Sequence, residues 1–210
     1  MTQTAQRRSG AAALTCALVA TFACAHGPGS GVPRSIEFED GDGEALFRIE
    51  RSGQWVRAEY AGGTLAVVRI EAAGLSVSDR SGAPVGRVEP PGERRSSFRL
   101  SPLDASGSVL DLRWEKDGDL EIEDEEDRVV YEAKKRDYGF KVVDGEDRLE
   151  TKVRSKNGKV SFRGTSGTTY MSTRGPIPLA AAVVLGLEKL RFEHALALSV
   201  ALMQWPPETK

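Results

Sequence analysis

One short unit recurs along the chain. Leu75-x-Val77-x-Asp79, Leu120-x-Ile122-x-Asp124, Phe140-x-Val142-x-Asp144 and Val160-x-Phe162-x-Gly164 share one register. Nine residues beyond each turn residue lie Val88, Ala133, Val153 and Thr173, and the last three units begin at positions 120, 140 and 160. Phe47-x-Ile49-x-Arg51, with Tyr60 at the same offset, reads as a looser copy. Alternation with period two puts the apolar residues on one face of a strand. The Asp/Gly-rich loops between the arms supply the positive φ angles and side-chain-to-backbone bonds of a tight reversal. Asp117-Gly118 and Asn157-Gly158 would link successive hairpins. Residues 35–174 therefore read as an antiparallel meander of about ten to twelve strands. A sheet with one apolar face has to close or fold over to bury it, so a barrel is expected, with a sandwich as the alternative.

After Arg174 the pattern changes. No charge occurs from Ile177 to Leu187, and Leu179 to Leu185 is apolar around the whole circumference of a helix. Such a helix is either buried or in a membrane, and eleven residues are too few to span a bilayer. Helices are expected at 178–190 and 193–204, packed in or on the barrel, so that residues 175–210 belong to the same domain. A membrane hairpin would need longer arms.

Across all 210 residues the net charge is -2, which argues against a nucleic-acid partner. That total conceals an asymmetry. Residues 35–127 carry 11 basic and 22 acidic side chains, residues 128–174 carry 12 and 6. Strand alternation places Lys141, Lys152, Arg154, Lys159 and Arg163 on the polar face, a candidate surface for anionic lipid headgroups or an acidic envelope protein. The ordinary alternative is the solvated outside of a barrel.

Residues 1–23 have the charged start and apolar core of a signal peptide. Thr21-Phe22-Ala23-Cys24 resembles the lipobox of bacterial lipoproteins, with Thr21 where that family usually has Leu, and residues 24–34 follow as a Gly/Pro-rich flexible tether. The resemblance implies a diacylglycerol anchor on Cys24 and a place in the cell envelope, at the periplasmic face of the outer membrane. Cleavage after Ala25 would instead release a soluble periplasmic or secreted protein. The other cysteine, Cys16, lies within the apolar core of the signal, so the exported domain has no thiol for a disulfide, a nucleophile or a metal.

The hairpin arms from Leu75 to Thr173 and the terminal stretch Pro178 to Leu190 together resemble the tubby C-terminal-like superfamily, which includes tubby, the LURP-one-related proteins and the scramblases. That resemblance implies a closed barrel around one apolar C-terminal helix and a non-enzymatic module that meets anionic lipid headgroups. It carries no site residues over to this chain.

Chemistry is sparse. His26 and His194 are the two histidines, the first in the tether and the second expected as a partly exposed helix residue. No phosphate loop, dinucleotide fingerprint, nucleophile elbow or zinc-protease motif occurs. Arg163 to Thr169 falls at the repeat's turn and reads as a hairpin loop. The carboxylates of Asp40-Gly-Asp42-Gly-Glu44 and of Glu115 to Asp127 read as turns and strand edges. No cofactor is expected. The composition leads to a non-catalytic binding or structural role, with a lipid or small-ligand carrier and a carboxylate-dependent hydrolase as alternatives.

Overall fold

A computed structural model describes residues 31–91, 97–104 and 107–206. Signal-peptide residues 1–23, Cys24 and His26 lie outside the described residues. The fold is a closed antiparallel barrel of fourteen strands. In chain order they are β1 (Ser35–Asp40), β2 (Ala45–Ser52), β3 (Trp55–Tyr60), β4 (Gly63–Glu71), β5 (Gly74–Asp79), β6 (Pro84–Val88), β7 (Ser97–Pro102), β8 (Leu110–Trp114), β9 (Leu120–Glu123), β10 (Val129–Arg136), β11 (Gly139–Asp144), β12 (Leu149–Lys156), β13 (Lys159–Arg163) and β14 (Thr169–Thr173). Each strand pairs with the next, and β14 closes on β1 through Phe38 opposite Thr173. Closure leaves the sheet without an open edge.

The repeat is a turn device. Asp40, Asp79, Asp124 and Asp144 each accept two backbone N–H bonds on Oδ1, from the second and fourth residues beyond, at 2.8–3.0 Å. The third residue beyond has positive φ in every case: Gly43, Gly82, Asp127 and Asp147. This is a three-residue hairpin loop with its own carboxylate cap. At Gly164 the Asp is missing and Ser166 takes over, receiving the Thr168 N–H at 3.4 Å. The first copy of the unit is Ile36-x-Phe38-x-Asp40, with Ile49 at the ninth position beyond. It displaces the expected copy at Phe47, whose turn at Gly53 is of another kind.

Consecutive strands alternate in direction, so loops after odd-numbered strands lie at one end of the barrel and loops after even-numbered strands at the other. All the Asp-capped turns follow odd strands, and this end is called the Asp-turn end. Residues 31–34 and 205–206 lie at the opposite, terminus end. Gly31 N–H bonds to Met203 O at 3.0 Å there, and Val32 is buried. The last part of the expected tether is thus fastened to the barrel.

Two helices occupy the lumen. α1 (Leu179–Leu185) runs from the terminus end to the Asp-turn end, and α2 (Phe192–Gln204) returns. Ten consecutive residues of α2, His194 to Met203, are buried, so every face of the helix is covered. α2 packs on β4–β7, α1 on β11 and β12, and the two pack on each other. A fourteen-stranded barrel is wider than one helix of about 10 Å can fill, and the returning helix supplies the missing volume. α1 stops at Gly186, five residues short of the expected helix at 178–190. A Cβ at that position would come within 2.6 Å of the Phe162 ring, so the close approach needs glycine while the chain turns back.

The filled lumen also explains His194. Expected partly exposed, it is 4% exposed because α2 is enclosed on all sides. Its Nε2 lies 3.4 Å from Val85 O, and burial pushes its pKa below the ordinary histidine value. A void of about 10 Å³ beside Val183, Val184 and Tyr131 is scarcely room for one water.

Candidate functional site

The five expected basic residues stand on three adjacent strands, and the register divides them into two groups. Lys141 on β11 faces Lys152 on β12, which faces Arg163 on β13, making one row across the outer wall. Arg154 and Lys159 lie nearer the terminus end. Arg154 is opposite Gly139 and Ser161, and Lys159 is opposite Lys156 across the Asn157-Gly158 turn. Both turn residues have positive φ, which a two-residue hairpin of this hand requires.

Like charges directly opposite on neighbouring strands destabilise a sheet. Elsewhere like charges also meet, Asp111 opposite Glu123 and Glu121 opposite Glu132, but Asp111, Glu123 and Glu132 each hold a basic partner. Arg99 sits opposite Asp111 and holds it with two bonds of 3.0 and 2.8 Å, and Arg48 faces Glu59 across β2 and β3. In the basic wall Lys141–Lys152, Lys152–Arg163 and Lys156–Lys159 are all like-charged pairs. Among the described residues, none of Lys141, Lys152, Arg154, Lys156, Lys159 and Arg163 pairs with a carboxylate. The Arg163 Nε is buried and lacks a hydrogen bond. Arg154 instead lies over the Tyr138 ring, 5.2 Å from its centroid. Next to the row, Lys134 faces Lys141 but is neutralised by Glu132 at 2.9 Å and Asp147 at 3.2 Å. An anion lying along the wall would relieve the repulsion that the protein leaves uncompensated.

Sequence reading missed Lys156, although the Asn157-Gly158 turn was the signal for it. A two-residue turn forces its flanking residues into register, so Lys159 has to face Lys156.

The Asp-turn end holds a different network. Asp144, 5% exposed, accepts bonds from Arg148 at 2.6 and 2.8 Å and from Lys189 at 3.1 Å. The Arg148 guanidinium, with Lys189 and the turn amides, holds its carboxyl well below the usual carboxylate range. Lys189 also reaches Glu150 at 2.6 Å, and its N–H bonds to the Tyr131 hydroxyl at 2.9 Å. Arg191 pairs with Asp104. These bonds fasten the α1–α2 link to the barrel mouth, and the carboxylates of the repeat are engaged in turns and ion pairs. Among the described residues, no group of three or more His, Asp or Glu is placed to hold a metal ion, and no helix is long and apolar enough to cross a membrane.

The tubby-like resemblance implies one apolar helix in the barrel, whereas this barrel holds two. Comparisons with protein-family models, with curated proteins and with solved structures find no match to this chain.

Proposed function

We propose that the protein is exported and held by a lipid on Cys24 at the bacterial cell envelope, facing the periplasm from the outer membrane. There its barrel serves as a non-catalytic binding module for anionic lipid headgroups. The observation that carries this reading is the row Lys141–Lys152–Arg163, where like charges face one another without a carboxylate. A lumen filled by two helices counts against the carrier alternative, because the void of about 10 Å³ beside Val183, Val184 and Tyr131 is too small for a lipid chain. Carboxylates engaged in turn caps and ion pairs count against the hydrolase.

The anchor is tested on the full chain expressed in a bacterium. The N-terminal peptide should have the mass of a diacylglyceryl-modified Cys24, and globomycin should cause the uncleaved precursor to accumulate. An unmodified peptide beginning at His26, insensitive to globomycin, would overturn the anchor and leave the soluble exported form.

A further inference from the structure

The two ends of the barrel differ in ways that give it an orientation. At the terminus end, Arg34, Arg136, Arg154, Lys156, Lys159 and Arg174 stand around nearly half of the rim, from the end of β10 past β14 to the start of β1, with Asp137 as the acid among them. Five of the six are exposed, and none of the six pairs with a carboxylate among the described residues. Loops at the Asp-turn end instead carry an excess of acid, Asp42, Glu44, Glu125, Glu126, Glu146 and Asp147 against Arg80, Arg128 and Arg148.

The tryptophans follow the same division. The chain has three, and all lie at the terminus end: Trp55 opens β3, Trp114 closes β8 and Trp205 follows α2. Trp55 is 43% exposed beneath Arg69, and Trp205 stacks on Phe98 inside the mouth. Indole rings and cationic side chains are the groups that favour a bilayer interface. Arg34, which leads into β1, stands within the basic arc.

We infer that the barrel stands on end on an anionic bilayer, with its terminus-end rim on the headgroups and its Asp-turn end directed away. This rests on the membrane-binding reading above and specifies which surface makes the contact. The rim is the primary contact and the Lys141–Lys152–Arg163 row, higher on the wall and running across it, is secondary. Repulsion between the acidic loops and an anionic surface enforces the same orientation.

The test uses the chain from His26 onward, which includes every strand, both helices and the described core. Its binding is measured on vesicles of phosphatidylcholine with and without 30% phosphatidylglycerol, brominated near the top of the acyl chains. Tryptophan fluorescence should be quenched only with phosphatidylglycerol. Reversing the rim (Lys156→Glu, Lys159→Glu, Arg174→Glu) should lower affinity by about a hundredfold or more, since each basic residue lost at the surface counts for roughly fivefold. Reversing the wall (Lys141→Glu, Lys152→Glu, Arg163→Glu) should lower it by less than about tenfold. Melting curves establish that both variants fold, and the quenching measurement needs no variant. A larger loss from the wall triple, or bound protein with unquenched tryptophans, would overturn the orientation while leaving headgroup binding intact. Absence of binding by the unaltered chain to phosphatidylglycerol vesicles would overturn both.

Discussion

Removing residues 178–210 should leave no soluble, folded barrel. The deletion takes away α1 and α2, whose buried side chains are the centre of the core. Leu196, Leu198 and Leu202 are at most 1% exposed, and Val183 and Val184 are both 1% exposed. Truncating one such leucine to alanine costs about 2–5 kcal/mol, so three together match the total stability of about 5–15 kcal/mol typical of a domain. The strands left behind would enclose an apolar channel lined by Ile36, Phe38, Leu75, Leu100 and Leu112, all buried in the intact protein. Such a channel would flood or collapse. Expression in the insoluble fraction and loss of cooperative melting are the expected observations. A soluble truncated barrel with a sharp melting transition would show that the helices are an attachment and not the core.

The second large effect is at Gly139, the first residue of β11. Its φ is +139°, and a Cβ there would lie 2.1 Å from Val153 O and 3.2 Å from Arg154 Cα. Both neighbours are backbone atoms of the paired strand and cannot step aside without breaking the ladder. Gly139→Ala should therefore cost more than about 3 kcal/mol, the range reached when strain and overpacking combine. Gly158→Ala is the matched control. Its φ is +73° and nothing lies within 4 Å of the added atom, so it should cost only the left-handed penalty of about 1–2 kcal/mol. Urea denaturation of the two variants measures the difference. Equal losses would mean that the β11–β12 pair is looser than the structure shows. Gly74, at the start of β5, repeats the geometry with φ +132° and 2.2 Å to Val88 O.

Much of this architecture was legible in the chain, and the reasons for success and failure are local. Asp79, Asp124 and Asp144 could be read as turn residues because the cap is made by one side chain acting on amides two and four residues away. The unit at Ile36 was overlooked in favour of Phe47, since Phe47 also alternates with Ile49. Period two cannot show which end of a strand bears the turn. β1, β4, β7 and β8 belong to none of the expected units, and the barrel has fourteen strands where ten to twelve were expected. β7 and β8 are joined by the longer stretch 103–109. The apolar helices were visible from their lack of charge. Their joint residence in the lumen was not, because it depends on the width of a barrel whose strand count was underestimated.

The candidate site shows the same boundary. Strand alternation was enough to put Lys141, Lys152 and Arg163 on the outside. That they face one another without carboxylate partners depends on register, which alternation alone does not set. The acid-rich Glu115 to Asp127 segment looked continuous along the chain. The fold divides it between the turn at Asp117-Gly118 on the terminus end and the Asp124 turn on the other. The basic excess on one arc of the terminus end appears only after the strands have been given directions.

The central claim is that the interior is solid core and that binding belongs to the outer surface. Hydrogen exchange at the amides of α2 tests it most directly. Those from Leu196 to Met203 should exchange only through global unfolding, as slowly as the most protected strand amides, because the helix is enclosed on every side. Exchange of α2 orders of magnitude faster than that of β4–β7, under conditions where the strands stay protected, would contradict the claim. It would mean a lumen that opens while the barrel persists, and would favour the carrier alternative.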